Sequence, residues 1–125
     1  MKKIGITIGD PGGIGPEVVV KALPSVSQEC LPIVVGDLSV MEEAVNAFSP
    51  SLRIKIIDNA DDAAASPETL WLINLDSLKT FKKGSPDAEN AIACVNYIKK
   101  AVSLALGKKI DAIATAPISK EALKM

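Results

Sequence analysis

The chain has 125 residues, of which 48% are hydrophobic and only 3% aromatic, and its formal net charge is −1. This length suits one compact domain with an aliphatic core. The near-neutral charge argues against binding to nucleic acid or to a membrane surface, and no stretch is long and apolar enough to span a bilayer. We therefore expect a cytoplasmic protein that handles small molecules.

Short β-rich segments alternate along the chain with helical patterns. Strands are predicted at residues 3–8, 32–36, 53–57, 69–75 and 110–115. Alternation of strands and helices is typical of an α/β fold with a mainly parallel sheet. The predicted fold class is therefore α/β, with residues 1–125 forming a single α/β unit.

Three helices are predicted between these strands. The first begins near Pro16 and stops before Pro24, because proline disrupts a helix interior. The second follows Asp37 as N-cap and runs to about residue 48. The third and longest opens with a cap at Ser85, a proline and an acid. One apolar stripe is expected to cover the sheet, formed by Ala88, Ala91, Ile92, Val95, Ile98, Val102 and Ala105 or Leu106.

Side chains for acid–base and metal chemistry are scarce. The sequence contains no histidine, the commonest general base and transition-metal ligand. Its two cysteines, Cys30 and Cys94, lie far apart and lack metal-binding or redox spacing. We expect buried or incidental thiols rather than a disulfide or a reactive thiol.

A glycine-rich turn after the first strand is the candidate site. The dinucleotide fingerprint needs a third glycine that is missing after Gly13 and Gly15, and the P-loop lysine is also absent. Pro16 removes an amide donor and Glu17 would repel an anion at the helix start, which argues against a phosphate cradle. The turn could still approach a nicotinamide, a ribose or a partner loop, or it could be purely structural.

Two motifs carry a family resemblance. Residues 9–23, GDPGGIGPEVVVKAL, and residues 114–123, ATAPISKEAL, resemble the signatures of the 4-hydroxythreonine-4-phosphate dehydrogenase family of pyridoxine biosynthesis. Residues 84–91, GSPDAENA, form a weaker third match. The sequence departs from the family where Gly13 replaces a common alanine and Ala91 a usual glycine. The resemblance covers residues 3–125 but only the first part of the family protein.

The resemblance implies a fold and an activity. The fold would be a truncated three-layer sandwich similar to the isocitrate and isopropylmalate dehydrogenases. The activity would be metal-assisted oxidation of 4-phosphohydroxy-L-threonine by NAD or NADP, followed by decarboxylation, in a homodimer. A related branch oxidises phosphorylated threonate or erythronate-like acids. Because the family's metal-binding histidines lie further along, the 125-residue chain is expected to be an inactive N-terminal fragment without metal ligands.

Residue roles carried over from the family are few. Asp10, Gly12 and Gly15 match the opening motif and are candidates for lining a substrate or cofactor cleft, and Lys120 could offer a cation there. Asp10 could instead bond its own turn, and Lys120 could be an ordinary residue of a last helix capped by Ser119. The catalytic residues stay unknown.

Two other interpretations are open. A phosphate acyltransferase of the same broad fold would bind an acyl phosphate or acetyl-CoA and no nicotinamide. A folding or oligomerisation module would be stable and would respond to no ligand. The paired motifs favour the dehydrogenase.

Overall fold

The computed structural model describes residues 1–78, 83–84 and 87–118. The strands are β1 (Lys3–Thr7), β2 (Leu31–Gly36), β3 (Arg53–Ile56), β4 (Thr69–Asn74) and β5 (Ala112–Thr115). The helices are α1 (Gly15–Val26), α2 (Leu38–Phe48) and α3 (Ala88–Leu106), with a short 3₁₀ turn at Ala60–Asp62. Every predicted strand is present within two residues of its expected bounds, and the predicted helix at Ser119 lies outside the described residues.

The described strands form one parallel sheet in the order β3-β4-β2-β1-β5. All six residues of β2, at the centre, are buried, as expected for a parallel strand covered on both faces. In the register, Ile6 of β1 lies beside Val34 of β2 on one side and Ala114 of β5 on the other. β3 and β5 are the two edges.

The helices cover both faces of the sheet. α1 and α2 pack against each other, whereas α3 contacts β1, β2 and β5. Connections between parallel strands are right-handed. Because the chain crosses the sheet in one direction from β1 to β2 and in the other from β4 to β5, α3 lies on the face opposite to α1 and α2. The α/β class and the three-layer arrangement are confirmed. No helix in the described ranges is long and apolar enough to cross a membrane.

α1 does not stop before Pro24, and that prediction was wrong. The helix continues to Val26, and the Ser27 N–H donates to the Leu23 carbonyl at 2.8 Å. The proline removes one backbone donor close to the helix end. Burial of Val20 and Leu23, exposed by 0% and 2%, stabilises the last turns despite that loss.

The prediction that this apolar stripe of α3 faces the sheet was also wrong. Ile92 and Leu106 are 62% and 81% exposed. The buried residues are Asn90, Ala91, Ala93, Cys94, Tyr97, Ala101 and Leu104. Small side chains on this face let the helix approach the sheet closely, and the Tyr97 hydroxyl finds a buried acceptor in Asp37.

The caps of α2 and α3 differ from the expectation. Asp37 occupies the N-cap position of α2 but makes no capping hydrogen bond, and the Leu38 N–H donates instead to Asn74 Oδ1 at 3.0 Å. α3 is capped by Asp87, which accepts from the Asn90 N–H at 3.1 Å, rather than by Ser85. Ser85 itself lies outside the described residues.

Candidate functional site

The candidate site lies at the carboxyl edge of the sheet, where β1 and β5 end side by side. β1 leads into α1 on one face, while β5 is entered from α3 on the other. Open α/β sheets bind ligands outside the strand carboxyl ends at such a switch point. The glycine-rich turn after β1 and the residues after β5 therefore share the expected position of a ligand cleft.

Asp10 shapes the turn after β1. Its side chain is buried, and its Oδ1 accepts a hydrogen bond from the Gly12 N–H at 2.9 Å. Its carbonyl accepts from the Gly13 N–H at 3.0 Å. Asp10 thus makes the turn-forming contact that the sequence allows. A contact between Asp10 and a ligand stays a prediction.

Two glycines of the opening motif are required by close backbone approach. Gly9 has φ +74°, and a Cβ there would lie 2.1 Å from the Pro117 carbonyl oxygen. A Cβ at Gly15 would lie 2.1 Å from the Ile8 carbonyl oxygen. Any larger residue at either position would force backbone apart. These glycines bring β1, α1 and the segment after β5 together, which is a structural reason for the motif.

The two family-like motifs meet at this edge. The Asp10 N–H donates to the Pro117 carbonyl at 3.1 Å, and the Ala116 N–H donates to the Thr7 carbonyl at 3.0 Å. The carbonyl of Gly12, a candidate cleft residue, accepts from the Gly84 N–H at 2.9 Å. Asp10 and Gly15, the first residue of α1, therefore lie against residues 116–117, whereas Gly12 contacts Asp10 and Gly84. Lys120 lies outside the described residues.

Asp37 is a buried carboxylate that the sequence reasoning did not select as a site residue. It is 1% exposed and accepts from the backbone N–H groups of Ser77 at 2.6 Å and Leu78 at 3.2 Å. The Tyr97 hydroxyl donates to its other oxygen. Its position directly after the buried strand β2 parallels that of Asp10 after β1, and this parallel is a signal that could have identified it.

Burial and charge alter two acidic groups beneath this edge. The pKa of Tyr97 is raised far above its ordinary value, chiefly by burial and next by the hydrogen bond to Asp37 and the negative charge of that carboxylate. Burial and the negative charge of Asp10 raise the pKa of Cys94 to about 11. Both groups are therefore protonated at neutral pH, and Cys94 is a poor nucleophile.

Both cysteines are free in the structure. Cys94 is 2% exposed, whereas Cys30 is partly exposed. Burial and the adjacent charge of Glu29 raise the pKa of Cys30. Neither thiol has the lowered pKa of a reactive cysteine.

A cavity of about 200 Å³ lies beside the turn, between α1 and α2. Carboxylates line part of it, with Glu17 paired to Lys21 at 2.7 Å and Glu43 paired to Lys83. Lys83 also lines the cavity, so its charged lining contains both signs and does not decide whether an anion is bound.

The described residues do not by themselves provide a metal site. Within the described ranges there is no group of three His, Cys, Asp or Glu side chains able to hold a metal ion. Backbone carbonyl oxygens of the chain itself occupy the space where a Cβ would lie at Gly9 and at Gly15. The turn also lacks the dinucleotide fingerprint.

Comparison with known proteins decides the family. Residues 28–125 match the family model of the pyridoxal phosphate biosynthetic protein PdxA. The chain belongs to the PdxA family. The resemblance to the 4-hydroxythreonine-4-phosphate dehydrogenases is therefore confirmed.

Two curated relatives illustrate the range of names in the PdxA family. A protein of Clostridium botulinum named as a D-threonate 4-phosphate dehydrogenase is 41% identical over 97% of this chain and 37% of its own length. The 4-hydroxythreonine-4-phosphate dehydrogenase of Desulforapulum autotrophicum is 40% identical over 98% of this chain and 37% of its own. The chain thus spans a little over one third of these relatives.

Solved structures of two named dehydrogenases share the fold of this chain. The 4-hydroxythreonine-4-phosphate dehydrogenase of Burkholderia phymatum superposes with a TM-score of 0.93 at 41% identity, over 99% of this chain and 38% of that one. A terephthalate 1,2-cis-dihydrodiol dehydrogenase of Burkholderia xenovorans gives 0.76 at 27% identity, over 98% and 36%. These neighbours agree with a truncated dehydrogenase-like fold.

Proposed function

We propose that this chain is the N-terminal α/β unit of an NAD- or NADP-dependent dehydrogenase that oxidises 4-phosphohydroxy-L-threonine in pyridoxal phosphate synthesis. The observation that carries the proposal is the family match over residues 28–125, supported by 40% identity to a named 4-hydroxythreonine-4-phosphate dehydrogenase. The meeting of both signature motifs at the sheet's carboxyl edge adds a physical argument, because that edge is where α/β sheets bind ligands.

The contribution of this chain is one wall of the substrate cleft. Asp10 holds the turn through the Gly12 N–H, and Gly15 allows close approach to Ile8 and Ala116. Lys120, which follows two residues after Ile118, is the candidate cation for the substrate phosphate. None of these residues moves a proton in the proposal, and the catalytic residues belong to the rest of the enzyme.

The proposed enzyme requires groups held outside this chain. A divalent metal would polarise the substrate hydroxyl, and the nicotinamide would accept hydride before decarboxylation. We propose that the 125 residues alone are inactive because the sequence contains no histidine and its described residues form no metal cluster. The complete enzyme is proposed to be a cytoplasmic homodimer.

A second candidate substrate is D-threonate 4-phosphate. The Clostridium botulinum relative and a relative from Fusobacterium nucleatum, 40% identical over 98% of this chain, carry that substrate in their names. Both substrates are phosphorylated hydroxy acids, so the choice requires an assay. The Clostridium botulinum and Desulforapulum autotrophicum relatives are both named dehydrogenases, which gives the acyltransferase alternative no support.

An enzyme assay tests the proposal. The chain is assayed alone and co-expressed with the C-terminal remainder of the Desulforapulum autotrophicum relative, with a divalent metal, NAD or NADP and each phosphorylated substrate. Formation of reduced nicotinamide is expected only when the remainder is present. Turnover by the 125 residues alone would refute the proposed inactivity. Failure of the relative's intact enzyme to oxidise either substrate would overturn the substrate class.

A further inference from the structure

One buried carboxylate holds both ends of the connection between β4 and α3. This connection comprises residues 75–87, whose described parts are residues 75–78, residues 83–84 and Asp87. At its start, the Ser77 and Leu78 N–H groups donate to Asp37 Oδ1 at 2.6 and 3.2 Å. Beyond its end, the Tyr97 hydroxyl on α3 donates to Asp37 Oδ2. Asp37 directly follows β2, the middle strand of the sheet, so the connection is anchored at the centre of the molecule.

Asp37 makes these bonds instead of stabilising its own helix. It occupies the N-cap position of α2, where an aspartate ordinarily accepts from the first backbone N–H groups of the helix, yet it makes no such bond. Burying a carboxylate is costly unless hydrogen bonds compensate for the lost water. The three donors to Asp37 come from residues 77–78 and from α3, so its side chain stabilises the β4–α3 connection and not the start of α2.

The start of the connection is held in a defined conformation. Asp76 has φ +51°, and its N–H donates to Asn74 Oδ1 at 3.1 Å. The Ser39 hydroxyl of α2 donates to the Leu78 carbonyl at 3.0 Å. A non-glycine residue keeps a left-handed conformation only where surrounding contacts outweigh its cost. Residues 75–78 are therefore fixed against the β2–α2 junction.

Further along, the same connection reaches the glycine-rich turn of the candidate cleft. The Gly84 N–H donates to the Gly12 carbonyl at 2.9 Å, and the Gly12 N–H donates to Asp10 Oδ1 at 2.9 Å. Gly84 lies between the two anchored ends, since Leu78 precedes it and Tyr97 follows it in the chain. The position of the Gly84 N–H therefore depends on the anchors at both ends.

We propose that Asp37 is a positioning residue for the candidate cleft. By holding both ends of the β4–α3 connection, it places the Gly84 N–H on the Gly12 carbonyl and fixes the turn that Asp10 shapes. This inference rests on the proposed function only where it assigns that turn to a substrate or cofactor cleft. Because Asp37 acts through the turn and not on a reacting atom, its loss should weaken binding more than it slows turnover.

Amide hydrogen exchange of the 125-residue chain, followed by NMR, tests the coupling between Asp37 and the turn. Tyr97→Phe removes one of the anchors and keeps the aromatic ring. The Gly84 and Gly12 amides should exchange at least roughly fivefold faster in this variant, because loss of a buried hydrogen bond raises the population of the open connection. Unchanged exchange of both amides would overturn the proposal.

Trp71→Phe is the matched control. It also removes one side-chain donor, the indole N–H that donates to the Ala64 carbonyl at 2.9 Å, but that bond has no part in the β4–α3 connection. Exchange of the Gly84 and Gly12 amides should stay unchanged in Trp71→Phe. Equal acceleration in Trp71→Phe and Tyr97→Phe would show general destabilisation and would refute the coupling.

Ser39→Ala tests the same connection from a second side. It removes the hydroxyl that donates to the Leu78 carbonyl and leaves the buried pair of Asp37 and Tyr97 intact. The Gly84 amide should exchange faster in this variant, by a smaller factor than in Tyr97→Phe. If Tyr97→Phe fails to fold, Ser39→Ala decides the question, and unchanged exchange at Gly84 would refute the proposal.

Steady-state kinetics separate positioning from a purely structural role. The chain is co-expressed with the C-terminal remainder of the Desulforapulum autotrophicum relative. Tyr97→Phe should raise KM for substrate or cofactor by roughly threefold or more and change kcat by less than about twofold. Asp37→Leu should do the same, whereas Asp37→Asn should restore KM. Its amide oxygen can accept from the two backbone N–H groups and its NH2 group can donate to the tyrosine oxygen. A raised KM in Asp37→Asn equal to that of Asp37→Leu would contradict positioning by hydrogen bonds.

The positioning role and the proposed function fail separately. Faster exchange at Gly84 in Tyr97→Phe, together with a co-expressed enzyme that oxidises neither phosphorylated substrate, would support the coupling and contradict the proposed function. Oxidation of either substrate with an unchanged KM in Tyr97→Phe would support the proposed function and refute the positioning role.

Discussion

The backbone N–H of Asp10 donates to the carbonyl of Pro117 at 3.1 Å. This bond joins the turn after β1 to the segment after β5, more than one hundred residues later in the chain. The two segments carry the family's two strongest signatures. Their contact makes the carboxyl edge between β1 and β5 a single structural unit, so a change in one segment should affect the other.

Gly9→Ala should destabilise this unit strongly. The position combines φ +74° with a Cβ that would lie 2.1 Å from the Pro117 carbonyl oxygen. A left-handed conformation costs a non-glycine residue about 1 kcal/mol or more, and displacement of residues 116–118 adds to it. Urea unfolding should show a loss of about 2 kcal/mol or more. Gly13→Ala is the control, because its Cβ would make an ordinary 3.5 Å contact; an equal loss there would contradict the argument.

Substitution of Asp10 should separate its turn contact from a ligand contact. Asp10→Asn keeps an oxygen able to accept from the Gly12 N–H, so the free energy of unfolding should change by less than about 1 kcal/mol. Asp10→Ala removes the acceptor and should cost about 1–2 kcal/mol. In the complete enzyme, a lower kcat/KM for Asp10→Asn with unchanged stability would support a ligand role. Unchanged kcat/KM would leave Asp10 a turn residue only.

The buried pair of Asp37 and Tyr97 should contribute unequally to stability. Tyr97→Phe removes one donor and leaves Asp37 with the two backbone N–H donors from Ser77 and Leu78, at a cost of about 1–3 kcal/mol. Asp37→Ala leaves those two donors and the tyrosine hydroxyl without their acceptor, so it should cost more, about 3–5 kcal/mol. Chemical denaturation measures both. A smaller loss for Asp37→Ala than for Tyr97→Phe would contradict this ordering.

Stability should decrease at alkaline pH. The pKa values of Tyr97 and Cys94 are raised in the folded state, that of Cys94 to about 11. Each group therefore contributes fully to the free energy of unfolding below its unfolded-state pKa, and this contribution decreases as the pH rises above that value. In the unfolded chain, cysteine and tyrosine side chains have pKa values of about 8.5 and 10. The free energy of unfolding should therefore decline above about pH 9. Tyr97→Phe should reduce that decline, and an unchanged slope in this variant would refute the assignment.

The sequence alone was sufficient for the strands and the family. Short β-prone runs bounded by turn residues located the five described strands, because such signals are read locally along the chain. The motifs at residues 9–23 and 114–123 identified the family before any geometry was known. The argument against a phosphate cradle also uses only local chemistry at Pro16 and Glu17, and it stays a prediction.

Long-range packing decided the rest. The prediction of the sheet-facing side of α3 was wrong because hydrophobicity favoured the aliphatic side chains of Ile92 and Leu106, whereas Cys94 and Tyr97 are the buried ones. The end of α1 depended on burial of Leu23, which outweighed the local cost of Pro24. The role of Asp37 depended on Tyr97, sixty residues away.

What the sequence determined about this protein is therefore its set of strands, its α/β class and its family, since these follow from local composition and from motifs read along the chain. What only the tertiary structure decided is which residues meet. The Gly9 turn lies against Pro117, Asp37 lies under Tyr97, and β5 pairs with β1 rather than with β4, the strand before it in the sequence. The physical reason is that such contacts depend on the order of strands in the sheet and on close backbone approach, which no local pattern records.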